Sequence, residues 1–175
     1  MKKLLLFILL LGFFLNGYSQ ATKYGVRGGL NISNLDFTGT SLADNVHRNG
    51  FIIGFFGEYG LSKTVYVMPE LQFSAEGAKQ EPLQLDYLQL PVFFKFRLSE
   101  KLYIGAGPQV GLKINKVDDG IRNFAYSGVA GLEVKINHML FADARYTYGI
   151  SNIFDKDLGI KANNSTIQFG VGYKF

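Results

Sequence analysis

Three side chains in one polar stretch, Ser41, Asp44 and His47, have the types of a hydrolytic triad: a hydroxyl nucleophile, a base to take its proton and a carboxylate to orient the base. All three fall in a single gap with no regular pattern to fix their geometry, so the stretch reads as ordinary loop composition. Asp155, Asp157, Gly159 and Asn163 resemble part of a calcium loop, but such a site needs more oxygen ligands and a closing Glu. They read as solvated loop acids, and Asp118-Asp119-Gly120 reads as a turn. Gly105, Gly107 and Gly111 do not make a dinucleotide fingerprint, because they sit within one alternating run and no helix follows. His138, beside Asn137 in a short turn, reads as an interface residue rather than a ligand. The chain has no Cys, which excludes disulfides, thiolate metal sites and a lipoprotein anchor. No catalytic residue, cofactor or metal is expected, and the chain reads as non-enzymatic.

The elements that would position any such group are strands. Residues 1–19 have the form of a secretory signal peptide, with Lys2 and Lys3 ahead of the apolar run Leu4 to Leu15 and small residues Gly17 and Ser19 before the cleavage point. Residues 20–175 then form one domain. Two of the charges behind the formal +4 belong to Lys2 and Lys3, and no Lys/Arg cluster follows, so nucleic acid is not an expected partner. Eight alternating runs are predicted as strands: Lys23–Asn31, Gly50–Gly60, Val65–Glu76, Leu85–Leu98, Leu102–Asn115, Ala125–Ile136, Leu140–Gly149 and Ser165–Phe175. Each is long enough for a tilted bilayer crossing of roughly 9–11 residues. Long polar gaps alternate with tiny ones, as expected of a transmembrane barrel with short turns on one side and longer loops on the other.

Reading alternate residues separates two faces. One carries Val26, Ile53, Leu71, Leu90, Ile104, Leu132, Ala144 and Phe169 and their neighbours, with no charge anywhere. A Lys or Arg facing lipid near the midplane costs roughly 2–4 kcal/mol, so this face suits lipid contact. Its aromatics form an expected girdle: Tyr24, Tyr59, Tyr173 and Phe175 at one rim, and Phe51, Phe73, Tyr126 and Tyr148 at the other. The opposite face carries the charges, and the expected lumen network is Arg27, Glu58, Glu70, Lys95, Arg97, Glu133, Lys135, Asp143 and Arg145. Pairs between neighbouring strands, Glu133 with Arg145 or Asp143 with Lys135, are the expected contacts. Glycines on that face make room for rings and long charged groups, since an eight-stranded barrel is just wide enough for side chains to fill. Pro69, Pro91 and Pro108 interrupt adjacent strands, where bulges or missing ladder bonds are expected.

The stretch Asp86-Tyr87-Leu88-Gln89-Leu90-Pro91-Val92-Phe93-Phe94-Lys95-Phe96 resembles a segment of the PorT-like small outer-membrane barrels common in Bacteroidota. Tyr103-Ile104-Gly105-Ala106-Gly107-Pro108 and Ala144-Arg145-Tyr146-Thr147-Tyr148-Gly149-Ile150-Ser151-Asn152-Ile153 resemble two more, and the resemblance covers essentially the mature chain. Phe175 resembles the terminal aromatic that barrel-assembly machinery reads. The resemblance implies an all-β, eight-stranded antiparallel up-and-down transmembrane β-barrel in a bacterial outer membrane, reached by signal-peptide-dependent export. Outer-membrane lipid, the assembly machinery and a loop-bound extracellular or envelope protein are the expected partners. Two other readings are a narrow channel for ions or small solutes, and a soluble lipocalin-like carrier with the faces exchanged and an apolar ligand inside.

Overall fold

Side-chain direction alternates along every run, and hydrogen bonding between successive runs converts that alternation into a wall with two faces. The computed structural model describes residues 22–37, 46–80, 83–115, 122–154 and 162–175. Its strands are β1 (Lys23–Phe37), β2 (Arg48–Gly60), β3 (Val65–Gly77), β4 (Gln84–Arg97), β5 (Leu102–Lys113), β6 (Phe124–Lys135), β7 (Leu140–Gly149) and β8 (Ala162–Lys174). Each pairs antiparallel with its sequence neighbour, and β8 pairs with β1 from Gly25↔Lys174 to Phe37↔Ala162, closing the barrel. The amide of Phe175 donates to the Tyr24 carbonyl at 2.8 Å, fastening the seam at its lower end. The signal-peptide reading concerns residues 1–19, which lie outside the described residues.

The three short turns share one construction. Ser62, Ser99 and Asn137 each accept backbone amides two and three residues on, at 2.7–3.4 Å. Such side-chain acceptors stand in for backbone partners in tight turns. This end of the barrel, with both strand termini, is termed the turn end, and the opposite one the loop end.

The apolar face points outward: Phe55 is 67% exposed and Leu30 66%, while Lys95 and Glu133 inside are 1% exposed. A soluble carrier with apolar ligand inside needs the reverse orientation. The residues of the expected girdle stand on the outer wall, with Phe51 and Phe73 rings 5.2 Å apart and Tyr173 and Phe175 rings 6.4 Å apart.

β1 and β8 run beyond the expected bounds of Lys23–Asn31 and Ser165–Phe175. In the added stretch the outer face turns polar, with Asn34 and Asp36 beside Ser165 and Asn163, while the inner face turns apolar at Leu35, Phe37 and Ala162. An apolar outer face therefore ceases to mark strand there. The other expected ends differ by one or two residues, as fraying ends do.

The prolines leave gaps without changing register. Pairing lapses at Gly57–Glu58 opposite Met68–Pro69, at Glu70–Leu71 opposite Leu90–Pro91, and at Val92–Phe93 opposite Gly107–Pro108. The register is the same on either side of each gap, so these are missing ladder bonds and not bulges. Peptides spanning the gaps are expected to exchange amide hydrogens faster than those of the unbroken β7–β8 ladder, as read by exchange mass spectrometry in micelles. Equal protection would mean that other groups satisfy these amides.

Candidate functional site: the barrel lumen

The lumen is organised in layers. Nearest the turn end, Lys95 and Lys174 sit between Glu58 and Glu133. Lys95 reaches Glu133 at 2.8 Å and also bonds Glu58, while Lys174 reaches Glu58 at 2.8 Å and Glu133 at 3.0 Å. Two cations thus face two anions across four strands, which offsets the large desolvation penalty of each.

Next comes a cluster of Phe56, Met68, Phe93, Val129 and Phe141. Its three rings lie against glycines on neighbouring strands. A Cβ at Gly25 would stand 2.3 Å from Phe56, one at Gly105 2.5 Å from Phe93, and one at Gly172 2.1 Å from Phe141. The charges lie over ring faces as well, with Arg145 4.5 Å from the Phe93 centroid and Lys174 4.7 Å from that of Phe141.

A second ionic layer holds Arg27 against Asp143, with Nε to Oδ2 at 2.7 Å, and Arg145 against Glu70 at 2.9 and 3.0 Å. From Arg27 a directed chain of hydrogen bonds runs toward the loop end. Arg27 donates to Gln72 at 3.3 Å, Gln72 to Gln89 at 2.8 Å, and Gln89 to Glu76 at 2.8 Å. Ser74 and Asn164 also donate to the Glu76 carboxylate. A cation at one end and a carboxylate at the other fix which way each amide points. Above this network, Leu35, Ala78, Leu85, Tyr87, Ile153, Phe154 and Ala162 form an apolar cap.

Arg27, Glu58, Glu70, Lys95, Glu133, Asp143 and Arg145 are therefore brought together in two clusters. Arg97 and Lys135 are not: they line the mouth at the turn end and make no ion pair among the described residues. The expected pairs of Glu133 with Arg145 and Asp143 with Lys135 do not form. Register places Glu133 opposite Asp143, Gly131 opposite Arg145 and Lys135 opposite Phe141. The carboxylates find cations across the lumen instead, because the long Arg and Lys stems span a narrow barrel. Strand parity puts Lys174, Glu76, Gln72, Gln89 and Gln168 inside but gives no sign that they join the networks, and Asn164 falls outside the expected strand Ser165–Phe175, in a stretch that β8 in fact includes.

Ser41 and Asp44 lie outside the described residues, and His47 is exposed beside Ala78 at the loop end. Asp155, Asp157 and Gly159 also lie outside them, as do Asp118, Asp119 and Gly120. Asn163 is a strand residue whose side-chain amide donates to the Gly149 carbonyl at 2.6 Å. Among the described residues no group of three or more His, Asp or Glu is placed to hold a metal.

No curated protein matches the chain. Among solved structures it is similar to Ail, the attachment invasion locus protein of Yersinia pestis, at 18% identity and TM-score 0.55, over 89% of this chain and 100% of that one. The Neisserial surface protein A is similar at 12% identity and TM-score 0.60, over 89% and 100%. A de novo designed transmembrane β-barrel is similar at 10% and 0.51, over 87% and 95%. These likenesses share the fold. The model of the outer membrane protein beta-barrel domain family matches residues 5–175, which indicates a bacterial outer-membrane location. The chain belongs to the outer membrane protein beta-barrel domain family.

Proposed function

We propose that the chain is a non-enzymatic integral outer-membrane barrel, closed along its lumen, that presents its loop end to an extracellular or envelope protein. The observation that carries this reading is the filling of the lumen: two ionic layers, three packed rings, an amide network and an apolar cap follow one another along the axis. An eight-stranded barrel filled in this way works as a rigid stand for its loops. In this reading the turn end faces the periplasm, because an even number of strands returns the chain to its starting side. Export through the signal peptide, recognition of the Phe175 terminus by assembly machinery, and the PorT-like assignment are parts of the same proposal, the last resting on the Asp86–Phe96 segment.

Planar-bilayer recording with the folded protein, together with a loop deletion, tests it. The deletion is confined to residues 38–46, since Asp36, Phe37 and Arg48 belong to strands. No steady conductance is expected. The shortened barrel should still shift mobility on boiling but lose whatever envelope protein the full chain captures. A stable conductance would favour the channel reading, and undiminished capture would remove this loop from the binding surface.

A further inference from the structure

At the turn end the lumen widens into a cavity of about 240 Å³. Lys23, Arg97 and Lys135 line it, together with Tyr66, Tyr103 and His138. Their charges are handled differently from those deeper in the barrel. Arg27, Lys95, Arg145 and Lys174 each meet a carboxylate. Lys23, Arg97 and Lys135 meet none among the described residues, although all three sit on inward-facing strand positions. Two carboxylates share the lining. Glu58 is already held by Lys95 and Lys174, and Glu100 is an exposed turn residue in no ion pair among the described residues.

We propose that this cavity binds a compact oxyanion, a phosphate or carboxylate group, held between the Arg97 guanidinium and the Lys23 and Lys135 ammonium groups. Arg97 donates its Nε to the Ser99 carbonyl at 3.2 Å, which orients the guanidinium and leaves its terminal nitrogens for a ligand. A planar fork of that kind matches two oxygens of one anion. The Tyr66 and Tyr103 rings, edge to face at 5.8 Å, form one wall of the cavity. With Lys174 as a fourth cation against Glu58 and Glu100, the lining keeps a positive excess, and a concave site of that kind with low-dielectric walls concentrates anions. The volume falls below the roughly 300 Å³ at which pockets for drug-sized molecules begin, so it suits a head group and not a large ligand. The group has two sources, a free anion of the periplasm or the phosphate of a lipid at the rim. The site does not depend on whether the loops bind a partner.

The test uses the folded full-length mature chain in micelles, with the midpoint of thermal unfolding read by the heat-dependent mobility shift. Replacing chloride by inorganic phosphate at constant ionic strength should raise the midpoint by several degrees, through binding to the folded state alone. The variant R97Q/K135Q should lose that rise. General salting effects of phosphate act equally on both proteins, so the difference isolates the site. A parallel arm compares vesicles of phosphatidylcholine with and without phosphatidylglycerol. Both lipids carry a phosphate but only phosphatidylglycerol is a net anion, so a rise with phosphatidylglycerol alone, lost in the variant, identifies the phosphate of an anionic lipid as the occupant. Lys23→Gln, at the first residue of β1, serves as a second variant should the double one fail to fold. No rise in either arm, or an equal rise in wild type and variants, overturns the proposal.

Discussion

Arg145→Met is expected to lower the stability of the folded barrel by about 3–5 kcal/mol, the range seen when one partner of a buried ion pair is removed. The Arg145 and Glu70 side chains are 1% and 2% exposed, and among the described residues Glu70 has no other cation. The substitution leaves a carboxylate desolvated in the middle of the lumen, facing the rings, and also removes the cation from the face of Phe93. Adding Glu70→Gln should restore most of the loss, because a buried pair replaced on both sides is close to neutral. Asp143 loses Arg145 at 3.6 Å but keeps Arg27, so in the double variant the charge of this layer is balanced again. Urea unfolding of the barrel in phosphatidylcholine vesicles, run as a double-mutant cycle, gives the coupling directly. If the two losses simply add, the pair is a coincidence of position and the plug owes its stability to the rings.

The second large effect is steric. Gly29 and Gly170 face each other across the closing seam, and a Cβ at Gly29 would lie 2.0 Å from the Phe169 carbonyl oxygen and 2.7 Å from the Gly170 Cα. Those are backbone atoms of the adjacent strand, so β1 and β8 would have to separate. Gly29→Ala is expected to cost about 3 kcal/mol or more, at or beyond the upper end for overpacking, and to reduce the yield of closed barrel in refolding. Gly128→Ala provides the contrast: on the outer wall of β6 its new Cβ meets nothing within 4 Å, and a change within about 0.5 kcal/mol is expected. Similar refolding yields for the two variants would show that the seam accommodates a methyl group by shifting strands.

Much of the wall is legible in the sequence because alternation is a local property. Parity alone told Lys95 from Phe94 and Glu133 from Leu132, and it settled which glycines lie inside. Partner choice is not local. Arg145 and Glu70 are 75 residues apart, and the closed sheet brings them together only through the combined register of the strands between them. Reasoning from neighbouring strands therefore offered Glu133 and Arg145 to each other, whereas the register sets Glu133 opposite Asp143. Parity also gives direction without depth, which is why Arg97 and Lys135 read as lumen residues although they stand at its mouth. The prolines are legible as interruptions, but only the paired register separates a lost bond from a bulge. The upper part of β1 is not legible for a physical reason: an apolar outer face marks strand only where lipid lies outside, and that criterion fails at Asn34 and Asp36.

That failure locates the frontier between two solvents. On the outer face of the seam, Ile32 is paired with Ile167, and one step further Asn34 is paired with Ser165; on the inner face polar Ser33 gives way to Leu35. Below this step the polypeptide is built inside out, and above it the same two strands continue as an ordinary water-facing structure with a greasy interior. The apolar outer wall of the seam thus ends within a single pair of residues. Because the chain has no cysteine of its own, single thiols introduced at Ile32 and Asn34 would let labels report on which side of that line each one sits.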